Sequence, residues 1–128
     1  MNFKNTLMET LNIEAITTEK ELVVLKMPVN TKTHQPMGFL HGGASVALAE
    51  SAASLGAYLN INPEVSNIFG LEINSNHIKS KRDGLVYARA MPIHKGKSTM
   101  VWEIKVVDED GDLISICRCT IGVTSKRK

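Results

Sequence analysis

Hydrophobic residues, mostly Ala and Leu, make up most of the segment from Ala44 to Leu59. Both are strong helix formers, so the segment predicts one long helix that begins at Gly42 and Gly43 and ends near Asn60. Apolar positions cover nearly the whole circumference of this helix, and a helix without a polar face is expected to be buried on all sides. Its two apolar stripes are Val46, Ala49, Ala53 and Ala57, and Leu48, Ala52, Leu55 and Leu59.

The rest of the chain has the alternation and turn residues of β-strands, apart from a short helix predicted over 3–11. One strand, 21–29, precedes the long helix, and four strands follow it. The four are predicted over 67–80, 85–92, 98–108 and 113–124, with turn signals at Arg82-Asp83-Gly84, His94-Lys95-Gly96-Lys97 and Asp110-Gly111. Consecutive strands joined by such turns predict an antiparallel meander with one apolar face.

A sheet with one apolar face needs a cover, and the long helix is the one predicted element large enough to supply it. The pattern therefore predicts an α+β hot-dog fold, in which a curved antiparallel β-sheet wraps around one long central α-helix. No repeat, low-complexity tract or linker divides the sequence. We expect a single hot-dog domain over residues 1–128.

Composition excludes several classes of function. The net charge of +2 gives no reason to expect nucleic-acid binding, and no apolar run approaches the ~18 residues of a membrane span. The N-terminus lacks the pattern of a signal peptide, so we expect a cytoplasmic protein without a membrane partner.

Cys117 and Cys119 would project from one face of a strand, a poor geometry for a mutual disulfide, so we expect reduced thiols. Neither has neighbours at metal-ligand spacing, and we expect no metal.

Glu50 lies in the middle of the apolar helix and conflicts with its pattern. A carboxylate on a buried helix costs several kcal/mol unless it is paired or neutralised. Ser54, four residues on, shares its helical face. Glu50 would attack an acyl carbon or activate water, and Ser54 would hold the water or the carboxylate. A lightly exposed or salt-bridged helix face at a subunit contact explains the pair equally well.

Gly42 and Gly43 precede the first turn, where backbone N–H groups have no partner within the helix and attract an oxyanion. The simpler explanation is that the two glycines let the chain turn into the helix. His41 could orient or donate to a thioester carbonyl, although a histidine at a helix entry is more often structural. Gln35 alone carries little information.

The spacing of these groups has a geometric consequence. Eight residues separate Gly42 from Glu50, which is about 12 Å of helix rise. One carbonyl group therefore cannot contact both within a single chain. If both act on one thioester, two chains must contribute, and the catalytic interpretation requires a homodimer with its helices side by side and antiparallel.

Three stretches resemble the hot-dog thioesterases, namely 35–51, 70–77 and 96–104. The first is the most specific, because His41-Gly42-Gly43 is followed by Glu50 at the matching spacing. The chain is similar to the branch that holds arthrobacter-type 4-hydroxybenzoyl-CoA thioesterases, the 1,4-dihydroxy-2-naphthoyl-CoA hydrolases of menaquinone biosynthesis and their phenylacetate-pathway relatives. The resemblance runs from about residue 12 to 124 and implies a homotetramer built as a dimer of dimers.

The resemblance implies roles for five residues around the reacting group. Glu50 would be the catalytic carboxylate, and the Gly42 N–H would polarise the thioester carbonyl. His41 and Gln35 would bind or position the thioester, and Ser54 would assist the hydrolytic water.

Further residues are implied along the substrate path. His77 and Asn76 would lie near the acyl or pantetheine group. Coenzyme A is part of the substrate, so no separate cofactor is implied. The candidates for contact with its phosphates and nucleotide are Lys79, Lys81, Arg82, Lys97 and Ser98.

The expected function is hydrolysis of an aromatic acyl-CoA, most similar to 1,4-dihydroxy-2-naphthoyl-CoA, to the free acid and coenzyme A. Glu50 would act as nucleophile or as general base, and the sequence leaves both open. Alternatives are a broad-specificity proofreading thioesterase for acyl-CoA or acyl-carrier protein, a dehydratase or hydratase, and a non-catalytic acyl-thioester-binding module. Dehydratases of this fold tend to carry His-Phe-Pro-Gly rather than His-Gly-Gly, which weighs against the dehydratase or hydratase alternative. Met37, Phe39 and Tyr58 would line an aromatic pocket or, equally, belong to core or dimer packing.

Overall fold

A six-stranded antiparallel sheet packs around one long helix in the computed structural model, which describes residues 2–126. The long helix contacts all six strands, which confirms the predicted hot-dog arrangement. Met1, Arg127 and Lys128, part of the predicted domain over 1–128, lie outside the described residues. The elements in chain order are α1 (Leu7–Thr10), β1 (Glu14–Glu19), β2 (Leu22–Pro28), α2 (Gly42–Leu59), β3 (Ser66–His77), β4 (Leu85–Lys95), β5 (Thr99–Asp108) and β6 (Leu113–Ser125).

The strand order across the sheet is β1-β2-β4-β5-β6-β3. The predicted meander is therefore correct for β4, β5 and β6 but wrong for β3, which pairs with β6 from Ser66 opposite Ser125 to His77 opposite Ser115. Arg82-Asp83-Gly84 was expected to join β3 to β4 as a hairpin. Instead, β4 pairs with β2, and the Val29 N–H donates to the Gly84 carbonyl. Gly84 does adopt the left-handed conformation of a turn residue, with φ of 80°.

Two elements near the N-terminus differ from expectation. β1, an exposed edge strand paired with β2, was not predicted. The leading helix is shorter than the predicted 3–11, because Asn5 and Asn12 on either side of α1 adopt positive φ angles of 61° and 58°.

The core lies between the inner face of the sheet and α2. Gly56 of α2 lies directly on Trp102 of β5, whose side chain is fully buried, and a Cβ at position 56 would overlap the indole ring. Alternate residues of β4 and β5 face inward and complete this core. These buried residues are Val86, Ala88 and Ala90, and Met100, Trp102, Ile104 and Val106.

One side of α2 is left open by the sheet. Leu48, Ala49 and Ala52 are fully buried, whereas Glu50 and Ser54 are only half-buried. The expectation that the helix is buried on all sides is therefore wrong for the single chain. The carboxylate lies at the margin of the core, which relieves much of the cost inferred from the apolar pattern.

Both cysteines are free, as the sequence predicted, and both are buried on the inner face of β6. Burial raises the pKa of the Cys119 thiol to about 12, and the negative charge of Glu50 adds to the shift. Nothing among the helices of residues 2–126 has both the length and the apolar character needed to cross a membrane.

Candidate active site

The N-terminus of α2 presents an unused backbone donor. His41 is the N-cap, and its Nδ1 accepts a hydrogen bond from the Gly43 N–H at 2.8 Å. The His41 N–H in turn donates to the Thr33 carbonyl. The Gly42 N–H donates to no group within residues 2–126. It points from the positive end of an 18-residue helix, where an anion or a polarised carbonyl oxygen binds favourably.

A cavity of about 410 Å³, here called the glycine pocket, lies beside this helix start. Its wall is mainly apolar, with Met37 and Phe39 on one side, as the sequence allowed, while Tyr58 lines a different cavity. Gln35 also lines the glycine pocket, and its Oε1 accepts hydrogen bonds from the loop N–H groups of Met37 and Phe39. Other lining residues include Gly42, His77 and Ser115.

His77 packs directly against Gly42. A Cβ at position 42 would lie 2.7 Å from the His77 Nε2, so a glycine is needed for the ring to come this close to the helix. On its other side the ring is held by a hydrogen bond of 2.7 Å between Nδ1 and the Ser115 Oγ. The structure thus brings His77 to the helix start. Asn76, at the neighbouring position of β3, is exposed and does not line the glycine pocket.

Glu50 lines a second cavity of about 350 Å³, here called the glutamate pocket. Ser54 shares this pocket, so the predicted pair is brought together, with Leu7 and Met8 of α1 opposite. The Glu50 Oε2 lies against the backbone of Gly70 in β3, and a Cβ there would overlap it.

Gly42 and Glu50 do not line a common cavity in the single chain. This agrees with the ~12 Å of helix rise between them. Within the single chain, the two groups therefore cannot both contact one carbonyl group.

The basic residues near the glycine pocket are partly engaged. Lys79 Nζ lies 2.7 Å from Asp112, and Lys81 Nζ lies 2.7 Å from Glu109. These hydrogen bonds raise the pKa of both ammonium groups and supply a carboxylate that competes with a phosphate. The Arg82 guanidinium lies 4.4 Å from the centroid of the Phe39 ring, at cation–π distance.

Lys97 and Ser98 lie at the opposite end of the sheet. The Ser98 carbonyl accepts a hydrogen bond from the Val123 N–H, near the end of β6. The glycine pocket is lined by Ile114, near the start of the same strand, about 30 Å away at ~3.3 Å per residue. The structure therefore does not bring these two residues to the glycine pocket of their own chain.

Two residues of the site were missed from the sequence. Gly70 provides the surface against which Glu50 packs, and Ser115 holds His77. A glycine inside a strand often marks a close approach of another group, which was the available signal for Gly70. Ser115 is one serine among several in strands, and its role follows only from the pairing of β3 with β6.

The ion pair of Lys81 and Glu109 should make stability depend on pH. The Lys81 hydrogen bond lowers the pKa of Glu109 to about 2, so this contribution is present above the ordinary carboxyl pKa and is lost as pH falls towards 2. We expect the free energy of unfolding to fall between about pH 4.5 and 2, and to fall less for Glu109→Gln. Urea unfolding at several pH values tests this, with the exposed Glu64→Gln as control; equal pH slopes for all three proteins would contradict it.

Comparison with known proteins identifies related chains. The family model described as the Thioesterase superfamily matches residues 37–115. The 1,4-dihydroxy-2-naphthoyl-CoA hydrolase of Listeria monocytogenes is 56% identical over 122 residues, covering 95% of this chain and 98% of that protein. The protein of the same name from Escherichia coli is 46% identical over 97 residues, covering 76% and 71%.

Solved structures agree with these relationships. A mutant thioesterase from Pseudomonas aeruginosa superposes with a TM-score of 0.94 at 40% identity, over 97% of this chain and 89% of that one. A thioesterase from Haemophilus influenzae gives a TM-score of 0.92 at 39% identity, over 96% and 85%.

Proposed function

The chain belongs to the thioesterase superfamily, and from that premise we propose that it hydrolyses an aromatic acyl-CoA of the 1,4-dihydroxy-2-naphthoyl type to the free acid and coenzyme A. That it is an acyl-CoA hydrolase of this family follows from its relatives. The choice of an aromatic acyl group is supported by the names of two relatives and by the apolar wall of the glycine pocket.

The single observation that carries the mechanism is the unpaired Gly42 N–H at the wall of a substrate-sized pocket. The thioester oxygen binds there, and the donor stabilises the negative charge that develops on it, worth about 3 kcal/mol for one well-aimed N–H. Glu50 takes a proton from a water that attacks the acyl carbon, or it attacks that carbon itself and forms an acyl anhydride, which water hydrolyses after the thiolate has left and so restores the carboxylate. The carbon–sulfur bond breaks, and the coenzyme A thiolate leaves and is protonated. Ser54 holds the water beside Glu50.

The proposed active unit is a homodimer. β3 is an edge of the sheet, so one row of its backbone N–H and C=O groups has no neighbouring strand within residues 2–126. Glu50 packs against Gly70 of β3, and Gly42 packs against His77 of the same strand. These two contacts are therefore about 23 Å apart along β3. An antiparallel pair of β3 strands with Gly70 opposite His77 of the second copy brings each Glu50 towards the other copy's Gly42. The further assembly into a homotetramer stays a prediction.

A kinetic panel tests the substrate class. The panel contains 1,4-dihydroxy-2-naphthoyl-CoA, benzoyl-CoA, octanoyl-CoA and benzoyl-acyl-carrier protein. We expect kcat/KM for the naphthoyl ester to exceed that for octanoyl-CoA by at least about tenfold, since a few methylene-sized contacts in an apolar pocket are worth that much. A flat profile, or a preference for the carrier-linked ester, would favour a proofreading thioesterase, and binding without turnover would favour a non-catalytic module.

Mixed dimers test the sharing of the site. Glu50→Gln and His77→Ala chains, each nearly inactive alone, are co-expressed with different affinity tags. In a mixed dimer one of the two sites has both residues intact, so tandem-purified mixed dimers should recover about half of the wild-type kcat per dimer. In the matched control, one chain carries both substitutions and the other is wild type. This mixture keeps one intact chain but no intact shared site, and should stay inactive. Activity in that control, or none in the first mixture, would place the whole site within one chain.

A further inference from the structure

We propose that Ser115 is a positioning residue that holds His77 as the Nε2–H tautomer, so that His77 gives the site a second hydrogen-bond donor beside the Gly42 N–H. This inference rests on the proposed function, because the two donors would face the same thioester oxygen. It assigns a task to a buried hydroxyl for which the mechanism above has no use.

The geometry fixes the histidine ring between two elements. Its Nδ1 lies 2.7 Å from the Ser115 Oγ, and Ser115 is fully buried opposite His77 in the β3–β6 pairing. Its Nε2 lies next to Gly42 and makes no hydrogen bond within residues 2–126. Because a Cβ at position 42 would lie 2.7 Å from Nε2, that nitrogen is within about 5 Å of the Gly42 nitrogen.

The hydrogen-bond inventory decides the tautomer. A serine hydroxyl has one hydrogen to donate, and the Ser115 Oγ has no partner other than His77 in the described part of the chain. If Nδ1 carried the ring proton and donated to Oγ, the hydroxyl hydrogen of a fully buried serine would have no acceptor, which is costly. The favourable arrangement has Ser115 donating to Nδ1, which leaves the proton of the neutral ring on Nε2, facing the glycine pocket.

The tautomer determines what His77 can do. A neutral ring with Nε2–H can donate to a carbonyl oxygen but cannot take a proton from water through that nitrogen. His77 therefore joins the Gly42 N–H in stabilising the oxyanion and leaves the role of base or nucleophile to Glu50. A second, fixed donor also requires no reorganisation when charge develops on the oxygen.

Kinetics of five variants test whether Ser115 acts through His77. We expect Ser115→Ala to lower kcat about tenfold with little change in KM, as loss of a supporting partner does, and His77→Ala to lower kcat about 10²-fold, as loss of an oxyanion donor does. The double variant should equal His77→Ala alone, since the serine has nothing left to hold. Ser115→Thr, which keeps the hydroxyl, should recover most of the activity. Ser75→Ala, which removes an inward hydroxyl of β3 bonded to Cys117, is the matched control and should retain wild-type kcat.

A spectroscopic measurement reads the tautomer without any substrate. In ¹⁵N-labelled protein at a pH where the ring is neutral, long-range ¹H–¹⁵N correlations should show protonated Nε2 and unprotonated Nδ1 for His77. The chain has four histidines, and the signals of His77 are identified by their loss in His77→Gln. Ser115→Ala should turn this pattern into that of a mixture of tautomers, whereas Ser75→Ala should leave it unchanged.

The outcomes separate this inference from the proposed function. A wild-type ring protonated on Nδ1, or an equal loss from Ser115→Ala with and without His77, would overturn the role of Ser115 even if the protein is an active thioesterase. If no thioester is hydrolysed, the spectrum still decides whether Ser115 fixes the ring. Should Ser115→Ala fail to fold, Ser115→Cys, with its weaker donor, provides the same comparison.

Discussion

Replacing Glu50 with Gln should lower kcat for the preferred aromatic acyl-CoA by about 10³-fold, within the range of a lost general base. The amide keeps the volume of the side chain and its position in the glutamate pocket but can neither attack the acyl carbon nor accept a proton from water. KM should change little, because the Gly42 N–H and the glycine pocket are intact. Steady-state kinetics with release of free thiol measure both constants.

A matched acid-to-amide change controls for charge. Glu64 is exposed in the turn after α2, and Glu64→Gln should retain wild-type kcat and melting temperature. Glu50→Gln should melt close to the wild type as well, since the carboxylate is half-buried and has no hydrogen-bond partner in the described part of the chain. Wild-type turnover by a folded Glu50→Gln protein would remove Glu50 from the reaction and with it the proposed mechanism.

Gly70→Ala should lower kcat about 10²-fold while leaving the fold intact. The new Cβ would occupy the space of the Glu50 Oε2, so the carboxylate must swing away. A displacement of about 1 Å at a reacting group can cost 10²-fold in rate. Stability should change little, because a half-exposed glutamate can move without opening a cavity. In a Glu50→Gln background the same substitution should cause almost no further loss, since the displaced group is already inactive.

Gly122→Ala provides the comparison within the same sheet. Its Cβ would project from the outer face and lie 3.1 Å from the Phe69 ring, away from Glu50. We expect wild-type kcat from this variant. Equal losses from Gly70→Ala and Gly122→Ala would show that the sheet responds to added bulk in general, and that the contact with Glu50 is not special.

Local patterns were enough to predict most of the elements but not how the strands pair. The long helix and the inward faces of β4 and β5 follow from periodicity, which each segment carries within itself. β1 gave no such signal, because an exposed edge strand has no buried face to alternate. The turn at Gly84 was placed correctly, yet β3 was paired with the wrong strand. Its true partner, β6, is about 50 residues away in the sequence. Pairing between such distant segments depends on how the whole sheet packs against the helix, which no single segment encodes.

The same limit applies to the candidate site. Glu50 could be found because it is a charged residue in an apolar helix, and Gly42 because it marks the start of that helix. The close approaches that complete the site, Gly70 to Glu50 and Ser115 to His77, join residues from different elements. The glycine within a strand signals a close approach but not which group approaches, and the serine carries no such signal. Neither contact can therefore be predicted from one segment alone.

The contact between Gly56 and Trp102 has a mechanical consequence for the chemistry. The flat indole ring fits the gap left by the missing side chain, so α2 can neither slide along its axis nor roll without a clash. The ring is held there although its buried Nε1 has no hydrogen-bond partner within residues 2–126. Because a helix is stiff, this contact fixes the direction of the Gly42 N–H about four turns away and the position of Glu50 less than two turns away.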